Sequence, residues 1–296
     1  MKKIKYFLEY CLILGISFFI WIFPRKWALK LGGILGVLMS FVLHKRTKLM
    51  LDNLSSCFPG KTELEKLDIS KKVWRNLGRT AAEFVRITEI NKNNMSEFVD
   101  VQGWENVEES MAQEKGLILL TGHFSNWEVS GAVSQFTLGN VTAIARPIKN
   151  PFVEKWVQRK RGASGMKVIL HRQAVRESLR CLKSKSTIGI LFDQNLYTGG
   201  IFADFFGRPA ATTTLPALLA VRTGAPIIIS YTLRQGDRFR YIFSPITQFP
   251  KVHDDVEKVV VYTKFLNNEL EKIVSLYPEN WFWIHNRWKR KQVSTN

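Results

Sequence analysis

Gly116-Leu117-Ile118-Leu119-Leu120-Thr121-Gly122-His123-Phe124-Ser125-Asn126-Trp127-Glu128 is the stretch on which the reading of this chain turns. Its apolar run, Leu117 to Leu120, predicts a buried strand. Thr121-Gly122 is a turn signal, and a helix is expected from about Ser125, whose hydroxyl reads as its cap. His123 and Glu128 then stand at the mouth of a strand-to-helix turn, where α/β folds commonly place chemistry. They are five residues apart, and on one continuous helix they would point about 140° away from each other, at ~100° per residue. They meet only if His123 precedes the first helical turn. Such a pair predicts a general base with an orienting carboxylate. The alternative is a surface histidine beside a carboxylate that favours the helix N-terminus.

Outward from this stretch, strands and helices alternate. Val141–Ala145, Val168–Leu170 and Thr187–Phe192 read as strands, separated by helical patterns over Phe152–Lys160 and Val175–Lys183. A hairpin is expected around Gln235-Gly236-Asp237, and a long helix over Val256–Leu276. Upstream, Lys71–Ile87 carries an amphipathic helical pattern. The pattern predicts an α/β fold whose central sheet is mixed, mostly parallel and flanked by helices, with hydrophobic helices at the N-terminus.

The chain has 296 residues and a net charge of +18. That balance favours nucleic acid, anionic lipid or an acidic protein as partner. No nucleic-acid-binding motif is present, so no nucleic acid is expected. The three cysteines, Cys11, Cys57 and Cys181, are scattered; this spacing predicts neither a disulfide framework nor a zinc site. Tyr6–Phe23 is an apolar stretch between basic flanks, interrupted by Glu9, and a second apolar stretch runs from Trp27 to Leu43. Bulky Phe19-Ile20-Trp21-Ile22-Phe23 stands where a signal peptidase would need small residues. Residues 1–45 are therefore expected to form an uncleaved membrane anchor with interfacial helices, and residues 46–296 a catalytic domain.

Gly122-His123-Phe124-Ser125-Asn126-Trp127-Glu128 resembles the H-x4-[DE] motif of glycerolipid-type acyltransferases, in the Asn-Trp-Glu form of the lipid A late acyltransferases, the lauroyl and myristoyl transferases of Gram-negative bacteria. Further blocks resemble that family in order: Ala145-Arg146-Pro147-Ile148-Lys149-Asn150-Pro151, then Arg159-Lys160-Arg161-Gly162, then Leu191-Phe192-Asp193-Gln194-Asn195, then Gly199 to Thr212, and a closing Trp281-Phe282-Trp283-Ile284-His285-Asn286-Arg287-Trp288. The resemblance covers nearly the whole chain.

It implies an inner-membrane enzyme of lipopolysaccharide biosynthesis facing the cytoplasm. The enzyme would move a fatty acyl chain from acyl carrier protein, or acyl-CoA, to a hydroxyl of an anionic glycolipid, a lipid A precursor. The rivals are acylation of another glycolipid, such as a phosphatidylinositol mannoside, and a non-catalytic membrane lipid-binding protein. His123 would be the base and Glu128 its orienting partner. Arg146, Arg161, Asp193, Asn126 and Gln194 are candidate substrate contacts. Arg161 reads equally as a phosphate ligand or a solvated charge. Asp193 at a strand end reads as a ligand contact or a helix cap. Asn195 stands where many relatives carry a second acidic residue, so no metal is expected, and no other cofactor is implied. Trp281, Trp283 and Trp288 are read as facing lipid or as core.

Overall fold

The computed structural model describes residues 2–245 and 248–292. Four helices open the chain: α1 (Lys2–Ile22), α2 (Arg25–Val42), α3 (His44–Cys57) and α4 (Glu63–Val85). α4 begins well before the expected Lys71 because Thr62 and Glu65 form a reciprocal cap. The Thr62 backbone N donates to the Glu65 carboxylate at 2.7 Å, and the Glu65 backbone N donates to Thr62 Oγ1 at 3.3 Å. After α5 (Met95–Phe98) come β1 (Val99–Gln102), α6 (Trp104–Ala112), β2 (Leu117–Thr121), α7 (Trp127–Leu138), β3 (Val141–Ala145), α8 (Pro151–Gly162), β4 (Lys167–Leu170), α9 (Ala174–Lys183) and β5 (Thr187–Leu191). A small hairpin, β6 (Ile201–Phe205) and β7 (Arg208–Thr212), precedes α10 (Leu215–Thr223). The larger hairpin of β8 (Ile227–Gln235) and β9 (Arg238–Pro245) and the long α11 (Asp255–Leu276) complete the fold.

Seven strands form one sheet in the order β1-β9-β8-β2-β5-β3-β4, parallel throughout except for the β8–β9 pair. The α/β expectation, with a mixed and mostly parallel sheet flanked by helices, is borne out. β2 is central. Its Leu117, Ile118, Leu119 and Leu120 are all buried, each worth ~1.5–3 kcal/mol of hydrophobic stabilisation. Side chains alternate between the two faces. Ile118 and Leu120 join Ile188, Ile190, Leu219 and Leu266 on one face. Leu117 and Leu119 join Val129 and Val133 of α7 on the other.

The N-terminal helices are tied to this body. α2 and α4 touch backbone to backbone: a Cβ on Gly36 would collide with the Trp74 carbonyl, and one on Gly78 with the Gly32 carbonyl. α2 also buries Ala28 and Leu29 against Ala82 and Val85 of α4. α1 is long and apolar enough to cross a membrane. It leaves Phe7, Leu8, Leu12, Phe18, Phe19 and Trp21 exposed. The Asn150 amide donates to the Tyr6 carbonyl at 2.8 Å and to Glu9 at 3.1 Å, which gives the acid inside this apolar helix a partner. Arg86 donates to the carbonyls of Ile20, Trp21 and Phe23, satisfying the helix end.

Candidate active site

β2 and β5 are neighbours with Thr121 paired to Leu191, so both strands end on the same edge of the sheet. Residues just past those ends meet although they are distant in sequence. His123 Nδ1 lies 2.7 Å from Asp193 Oδ1, and the His123 backbone N donates to Asp193 Oδ2 at 2.8 Å. Trp281 Nε1 donates to the same oxygen at 2.8 Å. Burial pushes the Asp193 carboxyl up, but the charge of His123 and these three hydrogen bonds outweigh it and hold the group down at about 2. An ionised Asp193 can only accept, so Nδ1 carries a proton, and in the neutral form of the ring Nε2 keeps its lone pair. The Gln194 amide, with its nitrogen toward the ring, lies 3.1 Å from that Nε2. Trp127 and Phe282 pack against the imidazole at centroid distances of 4.9 and 5.8 Å.

The carboxylate on the ring is thus that of Asp193, and the expected pairing with Glu128 is corrected. Glu128 sits in the first turn of α7 and faces α8. There Arg161 grips it with two hydrogen bonds, Nε to Oε2 at 2.9 Å and NH2 to Oε1 at 2.6 Å. Burial pulls the Arg161 pKa down, but Glu128 outweighs it and the guanidinium is held charged. Arg161 is not a solvated charge: its Nε and NH2 are engaged by Glu128, and both side chains line the cavity beside His123.

The cap of α7 is Asn126, not Ser125. Asn126 Oδ1 accepts from the Val129 backbone N at 3.1 Å. Ser125 takes a left-handed conformation, φ +41°. It is pinned on both sides: its backbone N donates to the Asn280 carbonyl at 2.7 Å, and its own carbonyl accepts from Thr80 Oγ1 at 2.9 Å. Asn126 is fully buried, and its amide donates to Glu83 of α4 at 2.8 Å. Glu83 in turn receives two hydrogen bonds from Arg234, both 2.7 Å.

Of the other expected contacts, Arg146 lies at the end of β3, and Gln194 reaches the histidine. Both line a cavity of about 320 Å³ that opens beside His123. This cavity lies between the sheet and α7, where Gly189, Ala143 and Gly131 supply little bulk. Trp281, Trp283 and Trp288 are core residues, exposed by 2, 0 and 4%.

Glu83, Arg234 and Asn280 carry no local motif, and the sequence reading missed them. Arg287 was visible only inside the closing tryptophan block. It is fully buried and donates to the Ala211 carbonyl and Thr212 Oγ1, each at 2.7 Å. His285 Nε2 accepts from the Asn195 backbone N at 2.9 Å. Burial first, then neighbouring positive charge, pushes its pKa down to about 4.

Comparison with known proteins gives the chain a class, that of the acyltransferases. The bacterial lipid A biosynthesis acyltransferase family matches residues 1–290, and the chain belongs to it. It is 26% identical over 265 residues to the lipid A biosynthesis palmitoleoyltransferase of Escherichia coli (strain K12), covering 89% of this chain and 85% of that one. It is 25% identical over 283 residues to the lipid A biosynthesis lauroyltransferase of the same organism, covering 94% and 90%. The phosphatidylinositol mannoside acyltransferase of Mycolicibacterium smegmatis is more distant, 21% identical over 225 residues, covering 75% and 72%.

Proposed function

We propose that this enzyme transfers a fatty acyl chain from the thioester of acyl carrier protein to a hydroxyl of a lipid A precursor, at the cytoplasmic face of the inner membrane. The carrying observation is the His123–Asp193 pair at the mouth of a largely apolar cavity. The acyl chain lies in that cavity, which brings its thioester carbonyl to the edge of the sheet. The acceptor hydroxyl displaces the Gln194 amide from His123 Nε2. Nε2 takes the hydroxyl proton as that oxygen bonds to the carbonyl carbon. The tetrahedral intermediate collapses, the C–S bond breaks, and the leaving thiolate takes the proton back from Nε2–H. An ester and a free thiol result. Asp193 fixes the tautomer and stabilises the imidazolium during the step. Glu128 and Arg161 brace the first turn of α7 against α8.

Residues 1–45 serve as the membrane anchor and residues 46–296 as the catalytic domain. Support comes from the apolar surface of α1 and from Trp27, Leu38 and Phe41 of α2, all exposed. The test is thiol release measured together with mass spectrometry of the lipid product, using acyl carrier protein and acyl-CoA donors with wild type, His123→Ala and Asp193→Asn. Acyl transfer by purified, folded His123→Ala at the wild-type rate would sink the mechanism. A preference for acyl-CoA would overturn the donor assignment alone.

A further inference from the structure

Beside the cavity that His123 lines stands a cationic patch that the acyl-transfer mechanism does not use; Arg146 belongs to both. Tyr197, in the loop after Gln194, is 54% exposed. Two cations lie against its ring: the Arg146 guanidinium carbon is 5.9 Å from the centroid, and Lys289 Nζ is 5.1 Å from it. Each contact with an exposed aromatic face is worth only ~0.5–1 kcal/mol. Two like charges converging on one ring repel each other. Among the described residues neither Arg146 nor Lys289 forms an ion pair. The neighbouring cations differ. Arg161 is engaged by Glu128, and Arg290 donates to the Gly199 carbonyl at 2.7 Å. Arg146 and Lys289 are therefore an uncompensated pair, held in place by a shared aromatic platform.

Their location gives the pair a use. Arg146 follows β3 on the edge of the sheet where β2 presents His123 and β5 presents Asp193, and it lines the same cavity as His123, Gln194 and His171. His171 is pushed toward its neutral form by burial and by the charge of Arg146, so the local field at this rim is positive. A substrate with its acyl chain in the cavity and its reacting carbon at His123 shares that cavity with Arg146.

We propose that Arg146 and Lys289, flanking Tyr197, form a subsite for a phosphate ester group of a substrate. A guanidinium fork suits two phosphate oxygens, and a lysine ammonium adds a point charge on the same aromatic platform. The inference deepens the acyl-transfer reading and rests on it. Two substrates of that reaction bring phosphate to the rim: the phosphodiester of a pantetheine-linked donor, and the phosphate of the glycolipid acceptor.

The experiment removes the phosphate from each substrate in turn. Transfer is measured in detergent with acyl-phosphopantetheine or acyl-pantetheine as donor, and with the glycolipid acceptor before or after phosphatase treatment. Wild type, Arg146→Ala, Lys289→Ala and the double variant are compared, with Lys92→Ala as a control for lost net charge. The expected result is a fall in kcat/KM of roughly 10–100-fold per variant, the range for a charge-assisted contact. That fall appears only with the substrate whose phosphate is gripped, and kcat at saturation changes little. The substrate that shows it identifies the source. An equal loss with and without each phosphate, no loss at all, or the same loss in Lys92→Ala overturns the subsite. Should wild type transfer no acyl group from acyl carrier protein, acyl-CoA or either truncated donor, the acyl-transfer reading fails instead. The subsite is then read directly from dodecyl phosphate binding in maltoside micelles, followed by tryptophan fluorescence. Binding at least tenfold weaker in the double variant upholds it, and equal binding overturns it.

Discussion

The Asn126 amide donates to the Glu83 carboxylate across 2.8 Å, while its oxygen caps the first turn of α7 at 3.1 Å. One buried side chain thus joins α4 to the turn that carries His123. Glu83→Gln strips Arg234 of its counter-charge, and breaking a buried pair costs ~3–5 kcal/mol. The melting temperature is expected to fall, and kcat with it by about tenfold or more at temperatures where the variant is folded, with little change in donor KM. The double variant Glu83→Gln, Asn126→Asp returns the carboxylate to the cluster on the other partner. Recovery of kcat in that swap is the sign of positioning; a swap that recovers melting temperature but no kcat contradicts it.

Asp193→Asn keeps the shape of the ring's partner but removes its charge. A loss in kcat of roughly 10²–10⁴ is expected, comparable to that of His123→Ala. Glu128→Gln acts on the α7–α8 brace, so its loss should be smaller and should be accompanied by a lower melting temperature. The measurement is kcat beside thermal melting for the three variants. A Glu128→Gln loss as large as that of Asp193→Asn, at unchanged melting temperature, would return Glu128 to the ring.

The cavity beside His123 owes part of its depth to Gly189. A Cβ there would have its nearest neighbours at 3.8 and 3.9 Å, so Gly189→Ala fits without strain. A larger side chain extends toward α7 and fills the cavity. Gly189→Leu is expected to shorten the acyl chain found in the product, read by mass spectrometry with a mixture of donors. An unchanged chain length at an unchanged rate would show that the acyl group lies elsewhere.

His285 gives acid sensitivity a definite sign. Its folded pKa, about 4, lies below the ordinary 6.5, so on acidification the unfolded chain takes up the proton first. The stability it contributes is complete above about pH 6.5 and is lost as pH falls toward 4, by at most ~1.4 kcal/mol per unit. Protonation of Nε2 also breaks its bond to the Asn195 backbone beside Gln194. Melting curves between these pH values should flatten in His285→Gln, whose side-chain oxygen still accepts from Asn195.

Much of this architecture was legible because hydrophobic patterning is local. The apolar run at Leu117 and the turn at Gly122 placed His123 at a strand end, and the alternation of strands and helices predicted the sheet. The partner of His123 was not legible. Asp193 reaches it only because β5 pairs with β2, and strand order is not written in any window of the chain. Glu128 was the nearer acid in sequence, and the capping of α7 by Asn126 turned it toward Arg161 instead. Ser125 and Asn126 are both good cap formers, and only the hold of Asn280 on Ser125 decides between them. The pairing of β1 with β9, two short strands far apart in sequence, left no local trace.

The glycine contact between α2 and α4 bears on how the enzyme can be taken apart. α4 presses Gly78 against α2 and, along the same helix, holds Ser125 through Thr80 and Asn126 through Glu83. Removing residues 1–45 bares the glycine strip and the Ala82–Val85 surface that α2 covers. A chain beginning after Lys45 is therefore expected to release more readily from membranes and at the same time to lose turnover, even when detergent delivers the lipid substrate. Release and turnover assayed on one preparation test this. An active, freely soluble fragment would mean that α4 keeps its place unaided. Otherwise the proposed attachment and catalysis are inherited together, and selection for a version without residues 1–45 has to rebuild a helix face first.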